Sequence, residues 1–242
     1  MKDLHSHLLF GIDDGCLDIE ESIQLLKKME EKGIKELILT PHYVESSKYN
    51  CNNKDKEKIF NEIKKKAFEE NISIKLYLGN EVFISKHFLK LLKDKEIQTL
   101  NNSKYLLFEF PLVQVYRNDS DIINELVTHG YSPILAHPER YPKFQEQPNL
   151  VRDYLRSGVL LQGNVTSLFG KYGRKAEKTL KYFLKNGWIS FLGSDTHHDV
   201  SFDCKKIEKK LLKITKNPEY VNDLLYNNFD KVIKNEEMGM NF

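Results

Sequence analysis

Cysteine is scarce in this sequence: three residues in 242, at Cys16, Cys51 and Cys204. An odd, scattered set is not a disulfide framework, and it points to a reducing, cytoplasmic setting. None of the three has a Cys or His partner at zinc-finger spacing. Long apolar runs are missing as well. No segment approaches the roughly 20 residues needed to span a bilayer, so no membrane insertion is expected. Residues Met1 to His7 lack a basic stretch followed by an apolar one, so no secretory signal is expected. Charge of one sign is also lacking: 37 Lys and Arg stand against 35 Asp and Glu, a formal net charge of +2. That balance argues against nucleic acid as a partner. No Pro/Ser/Gly-rich linker and no low-complexity segment divides the chain, so a single domain over 1–242 is expected.

What recurs is a short apolar run, a polar turn and an amphipathic helical stretch. The first run is Asp3 to His7. A helix follows from Asp18 to Lys32, with Asp18 as N-cap, Glu21 three residues on and Gly33 as the stop. Glu36 to Thr40 is the next run. It leads to a charged helix over Lys54 to Glu70, whose Ile59, Ile63 and Ala67 repeat at helical spacing. Further strands are predicted over Ile74–Leu78, Tyr105–Phe110, Ser132–Ala136, Val159–Gln162 and Trp188–Leu192. Helices are predicted near Lys86–Lys93 and Ser120–His129, before Gly158, near Arg174–Asn186, and after the Trp188–Leu192 strand to about residue 236. Short continuous apolar runs suit strands buried on both faces, and alternation with helices implies parallel pairing. About seven such units suggest an α/β barrel closed on itself.

The ionisable residues fall at the ends of these runs. His5 and His7 lie at the end of the first, two apart and therefore on one side of an extended chain. Asp13 and Asp14 sit in the loop that follows. His42 follows the second run, Glu81 the third, Glu109 ends the fourth, His137 ends the fifth, and Asp195 and His197 follow the last. In a βα barrel the C-terminal strand ends meet on one face, so these residues should converge. Carboxylates crowded there repel one another, and divalent cations are the natural compensation. Imidazole with carboxylate suits Zn, Mn or Fe, and the ligand supply fits two ions or three, with Glu81 as the bridging carboxylate. Arg140, within His137-Pro138-Glu139-Arg140, should project into the same mouth and fork onto phosphate oxygens; a salt bridge to Glu139 or another acid is the alternative.

A single His or Glu at a strand end is ordinarily a cap or a solvated loop residue. Recurrence at six of seven predicted strand ends, from a chain with eight His, outweighs that reading. The sixth run ends in Gln162-Gly163-Asn164, which either contacts substrate or closes a turn. His87, in a predicted helix, and His129, beside Gly130 where an imidazole suits the helix dipole, read as structural. His198 directly follows His197 and either supports the ligands from behind or is exposed, with no ligand role assigned. The lysine-rich runs Lys54–Lys66 and Lys205–Lys216 read as solvated faces of amphipathic helices.

Taken together, His5-Ser6-His7, Asp13-Asp14-Gly15, Thr40-Pro41-His42, Glu109, His137-Pro138-Glu139-Arg140-Tyr141 and Ser194-Asp195-Thr196-His197 resemble the polymerase-and-histidinol-phosphatase (PHP) superfamily. Within it they resemble the bacterial tyrosine-protein phosphatases of the CpsB and YwqE type, over Met1 to about Lys234. The resemblance implies a distorted (β/α)7 TIM-like barrel with a three-metal site, often manganese, with Fe, Zn or Mg as alternatives. By position, His5, His7, Glu81 and Asp195 would hold one ion, Glu81, Glu109 and His137 a second, and Asp14, His42 and His197 a third. Arg140 matches the arginine assigned to phosphate binding. The implied substrate is phosphotyrosine on the tail of a tyrosine autokinase that controls capsule or exopolysaccharide export. The segment His198-Asp199-Val200-Ser201-Phe202 departs from many relatives, which carry an Arg there. Tyr116-Arg117 lines up with a Tyr-Arg pair of relatives and is a candidate substrate contact.

The chemistry expected is direct hydrolysis by a hydroxide that the cations activate, with metals and Arg140 stabilising the phosphoryl charge and either a metal-bound water or Asp14 aiding the phenolate leaving group. No covalent intermediate is expected. Cys-x5-Arg is absent, since six residues beyond Cys16, Cys51 and Cys204 lie Ser22, Glu57 and Lys210, and there is no Gly-x-Ser-x-Gly elbow. The rivals are a histidinol-phosphate phosphatase, a polymerase-associated nuclease domain and a non-catalytic module with a structural metal site.

Overall fold

Seven parallel backbone runs follow one another around a ring in a computed structural model, which describes residues 1–112 and 119–239. The apolar runs form the strands because each is buried on both faces, as in Leu106-Leu107-Phe108, which expose no surface. Strands β1 (Lys2–Asp3), β2 (Glu36–Leu39) and β4 (Lys75–Leu78) pair in the order β1-β2-β4. Strands β3 (His42–Tyr43), β5 (Glu81–Phe83), β6 (Tyr105–Glu109), β7 (Ser132–Ala136), β8 (Leu160–Asn164) and β9 (Phe191–Gly193) pair in the order β3-β5-β6-β7-β8-β9. Every pairing is parallel. The chain passes from β2 to β3 across Thr40-Pro41 and from β4 to β5 across Gly79-Asn80, so β2/β3 and β4/β5 are each one interrupted run. The last run returns to the first through a parallel bridge between Ser6 and Thr196, where His7 N–H donates to the Thr196 carbonyl at 2.8 Å. The expected seven-unit α/β architecture, a distorted barrel, is what the sequence folds into.

Side-chain alternation sorts the strands into an inside and an outside. Ile38, Tyr105, Leu107, Ile134, Ala136, Leu160 and Phe191 pack together in an inner cluster, joined at one end by Phe229 and Val232. Their neighbours Leu37, Leu39, Leu106, Phe108, Leu135, Leu161 and Leu192 face the helices in a second, larger cluster. Followed toward the C-terminal strand ends, the inner face of β6 leads from Leu107 to Glu109. On β8 it leads from Leu160 to Gln162 and Asn164. The polar mouth is therefore the continuation of the apolar interior.

The helices are α1 (Ile19–Glu31), α2 (Asn53–Glu69), α3 (Phe88–Lys93), α4 (Asp119–Thr128), α5 (Pro142–Glu146), α6 (Val151–Arg156), α7 (Gly173–Lys185), α8 (Cys204–Thr215), α9 (Pro218–Asn222) and α10 (Asn228–Lys234). Asp18 caps α1 as expected, accepting from Glu21 N–H at 2.8 Å. Two expectations need correction. The helix before Gly158 is broken into short turns because Pro138, Pro142 and Pro148 each begin a new one. The C-terminal helical stretch is interrupted at Lys216, which adopts φ 54°, just ahead of Asn217-Pro218. Strand boundaries also shift. Pairing of the first run with β2 covers only Lys2–Asp3, because beyond them the chain turns toward Thr196, and β9 starts at Phe191 rather than Trp188.

Candidate metal centre

The nine strand-end residues singled out from the sequence come together at this mouth. Glu81, fully buried at the start of β5, is their centre. Its Oε2 lies 3.2 Å from His5 Nε2, 3.4 Å from His7 Nε2 and 3.0 Å from His42 Nδ1, while its Oε1 lies 3.0 Å from His137 Nε2. Asp195 Oδ1 stands 3.6 Å from His5 Nε2 and 3.4 Å from His7 Nε2. Glu109 reaches His42 Nδ1 at 3.2 Å and His137 Nε2 at 3.7 Å. Asp14, more than half exposed at the rim, places Oδ1 3.6 Å from both His42 Nε2 and His197 Nε2.

Three subsets have the reach to hold an ion: His5, His7 and Glu81; His42, Glu81 and Glu109; and His7, Asp14, His42 and His197. These overlap the three sets implied by the resemblance. They differ in three ways: Asp195 is not in the first, His42 stands in place of His137 in the second, and His7 joins the third. His42 turns its two nitrogens to different subsets, Nδ1 toward Glu81 and Glu109 and Nε2 toward Asp14.

Two of the imidazoles are oriented by a second partner. His5 Nδ1 lies 2.8 Å from Gln162 Oε1, and His7 Nδ1 lies 2.7 Å from Asp13 Oδ2, so both rings donate there and turn Nε2 lone pairs inward. Those Nε2 atoms are 3.0 Å apart. The backbone is bent to the same end. His137 adopts φ 36° and Asp195 φ 53°, left-handed conformations that cost a non-glycine residue about 1–3 kcal/mol. Gly193 is required beside them, since a Cβ there would sit 2.6 Å from His5 Cβ.

Burial opposes charge on Glu81, Asp195, His7 and His42, yet these groups offset it for one another. His5 and His42 keep Glu81 well below the usual carboxylate range, and His5 and His7 do the same for Asp195. In return Asp13, Asp195 and Glu81 hold His7 well above its ordinary value, and Glu81 and Glu109 lift His42 to about 10 against the opposing effects of burial and His7. His197 goes the other way: burial and the neighbouring His7 push it down to about 4, a neutral imidazole. The carboxylates thus demand positive charge that imidazolium supplies only by giving up its lone pairs. Glu81 Oε2, His42 Nδ1 and His137 Nδ1 are buried with no properly aligned hydrogen-bond partner. A buried acceptor surrounded by inward lone pairs fits a cation and is costly without one.

Arg140 does reach the mouth. Its Nη1 pairs with Asp195 Oδ2 at 2.8 Å, and its guanidinium carbon lies 4.3 Å from the centre of the Tyr172 ring. Glu139 is not its partner: that carboxylate is fully buried and accepts from Asn164 N–H at 2.9 Å and Ser167 Oγ–H at 2.7 Å. Gln162-Gly163-Asn164 does not close a turn. These are strand residues whose side chains hold others in place, Gln162 on His5 and Asn164 Nδ2 on Asp195 Oδ2 at 2.7 Å. Tyr172 is the neighbour that strand-end counting misses, and the supporting roles of Asp13, Gln162 and Asn164 were not assigned by it; two polar residues on the inward face of β8 were the available signal. His198 stays outside the cluster, paired with Glu21 at 2.8 Å, and His87 is likewise apart, paired with Glu45. His129 turns Nδ1 to the Glu125 carbonyl of its own helix. Tyr116-Arg117 lies outside the described residues.

The sequence profile of the family described as "Capsular polysaccharide synthesis, CpsB/CapC" matches residues 1–234. The tyrosine-protein phosphatase CpsB of Streptococcus pneumoniae is 30% identical over 82% of this chain and 83% of its own. That of Streptococcus agalactiae is 27% identical over 97% of this chain and 99% of its own. Among solved structures, one described as YwqE from Bacillus subtilis and CpsB from Streptococcus pneumoniae, unique metal-dependent tyrosine phosphatases, superposes with a TM-score of 0.87 at 26% identity, covering 99% of this chain and 96% of the other.

Proposed function

The chain belongs to the CpsB/CapC family of capsular polysaccharide synthesis, and from that premise we propose that it is a metal-dependent protein-tyrosine phosphatase acting as one unit over residues 1–242. The observation that carries the reading is Glu81, buried among four imidazoles, with Oε2 lacking an aligned hydrogen-bond donor. His5, His7, Glu81 and Asp195 would hold one ion, Glu81, Glu109 and His137 a second, and Asp14, His42 and His197 a third, with His42 able to serve either of the last two. Manganese is the ion we favour. Bound cations would supply Lewis acidity: neutralised phosphoryl charge and a more acidic water.

The chain's own residues do the rest. Arg140 offers the phosphoryl oxygens the N–H donors that its bond to Asp195 leaves free. Asp14, exposed at the rim, would exchange a proton with solvent for the leaving oxygen. A phenolate, with pKa near 10, needs little of that help. Asp13 and Gln162 keep the His7 and His5 rings fixed, so the site need not reorganise during turnover. The substrate we infer is phosphotyrosine on a protein tail, that of a tyrosine autokinase serving capsule or exopolysaccharide synthesis, met in the cytoplasm. No helix among the described residues is long and apolar enough to cross a membrane.

The test is hydrolysis of a phosphotyrosine peptide, with histidinol phosphate beside it, before and after chelation and manganese return. Peptide turnover that chelation abolishes and manganese restores is expected, lost also in Asp195→Ala and kept in Cys16→Ser. Activity surviving chelation, or confined to histidinol phosphate, would overturn the proposal.

A further inference from the structure

Asp195 divides its carboxylate between two sides of the mouth. Oδ1 faces the imidazoles, 3.6 Å from His5, 3.4 Å from His7 and 3.6 Å from Nδ1 of His197. Oδ2 faces away from them and gathers three donors: Asn164 Nδ2 at 2.7 Å, Arg140 Nη1 at 2.8 Å and the Tyr172 hydroxyl at 3.3 Å. The Tyr172 ring also underlies the guanidinium, 4.3 Å from ring centre to Cζ. Arg140 is thus bonded to Asp195 through Nη1 and lies over the Tyr172 ring. Asp195 is the only acid it pairs with among the described residues, so most of its five N–H groups stay uncommitted. Tyr172 is fixed in turn by its backbone. It lies between Gly170 (φ 81°) and Gly173 (φ 87°), where the chain turns into α7.

We propose that Tyr172 is a positioning residue for Arg140: its ring holds the guanidinium flat, so that the free N–H fork faces the phosphoryl oxygens of a phosphomonoester. The inference rests on the phosphatase reading above. A planar guanidinium stacks well on an aromatic face, whereas an unsupported arginine has several rotamers to surrender on binding. The ring matters more than the hydroxyl. At 3.3 Å that hydroxyl is the most distant of three donors to an oxygen already bonded twice.

The test compares wild type, Tyr172→Phe, Tyr172→Ala, Arg140→Ala and the Tyr172→Ala/Arg140→Ala pair, all loaded with manganese. Calorimetric binding of inorganic phosphate, cation content, and kcat and KM for a phosphotyrosine peptide are measured. Tyr172→Ala should weaken phosphate binding and raise KM by about tenfold, with kcat changed by less and cation content kept. Tyr172→Phe should restore most of that loss, and Tyr172→Ala should add nothing to Arg140→Ala. Unchanged phosphate binding in Tyr172→Ala, an equal loss in Tyr172→Phe, an additive loss in the pair, or a loss that merely follows lost cations would each overturn the assignment. Phosphate binding with this pattern in a protein inert toward phosphotyrosine would sink the phosphatase reading instead.

Discussion

Asp13 and His7 are joined by a 2.7 Å hydrogen bond, with His7 Nδ1–H donating to Asp13 Oδ2. The same oxygen accepts His42 N–H at 2.8 Å, and Oδ1 accepts Gly15 N–H at 2.9 Å. One carboxylate therefore fixes the ring of one candidate ligand and the backbone of another. Asp13→Ala should lower manganese affinity by about 10- to 100-fold, with far-ultraviolet circular dichroism unchanged. Asp13→Asn, which keeps an acceptor, should fall between. Calorimetric titration of the stripped proteins measures both. Wild-type affinity in Asp13→Ala would remove Asp13 from the site.

Gly15 packs where no side chain fits: a Cβ there would lie 1.9 Å from the His7 carbonyl oxygen. Backbone cannot yield as a flexible side chain does, so Gly15→Ala must push the Asp13–Asp14 loop away from His7. About 1–3 kcal/mol of stability should go, and Asp14 with it, so that Gly15→Ala binds fewer cations than wild type. Gly130→Ala is the control. It has open space around a positive φ, carries only backbone strain, and should leave cation content alone.

Lys56 is buried on α2 with its ammonium hydrogen-bonded to Asn80 Oδ1, and burial pushes its pKa from 10.5 down to about 7. The folded state disfavours the charged form. The penalty is therefore complete below pH 7, shrinks as pH rises, and is gone above the unfolded value of 10.5. At about 1.4 kcal/mol per pH unit it is on the order of 5 kcal/mol at its fullest. Lys56→Met keeps the stem and leaves Asn80 Oδ1 bonded to Gln98 N–H at 3.0 Å. It should raise the melting temperature at pH 6.5, and by less at pH 9.5. A gain that grows with pH would show that the ammonium is well accommodated.

The ring of candidate ligands was legible because strand ends are one-dimensional information: an apolar run stops, and the next polar side chain sits at the rim. Asp18 and Gly33 marked α1 for the same reason. Gln162 and Tyr172 were not legible as partners of His5 and Arg140, because those contacts join residues 157 and 32 positions apart, a matter of packing. The broken helix before Gly158 was readable in principle, since Pro142 and Pro148 each forbid a continuous one. His42 shows the limit from the other side. Its strand-end place was clear, but which ions it faces depends on a ring that presents both nitrogens.

The central claim is that imidazoles and carboxylates from across the chain take up cations around Glu81. Elemental analysis of the dialysed protein, wild type against Glu81→Gln, tests it most directly. Two or three divalent ions per chain in the wild type, falling to one or none in a folded Glu81→Gln, is the predicted result. A folded wild type that retains no ions from manganese-containing buffer, or a Glu81→Gln protein that retains as many, would contradict it.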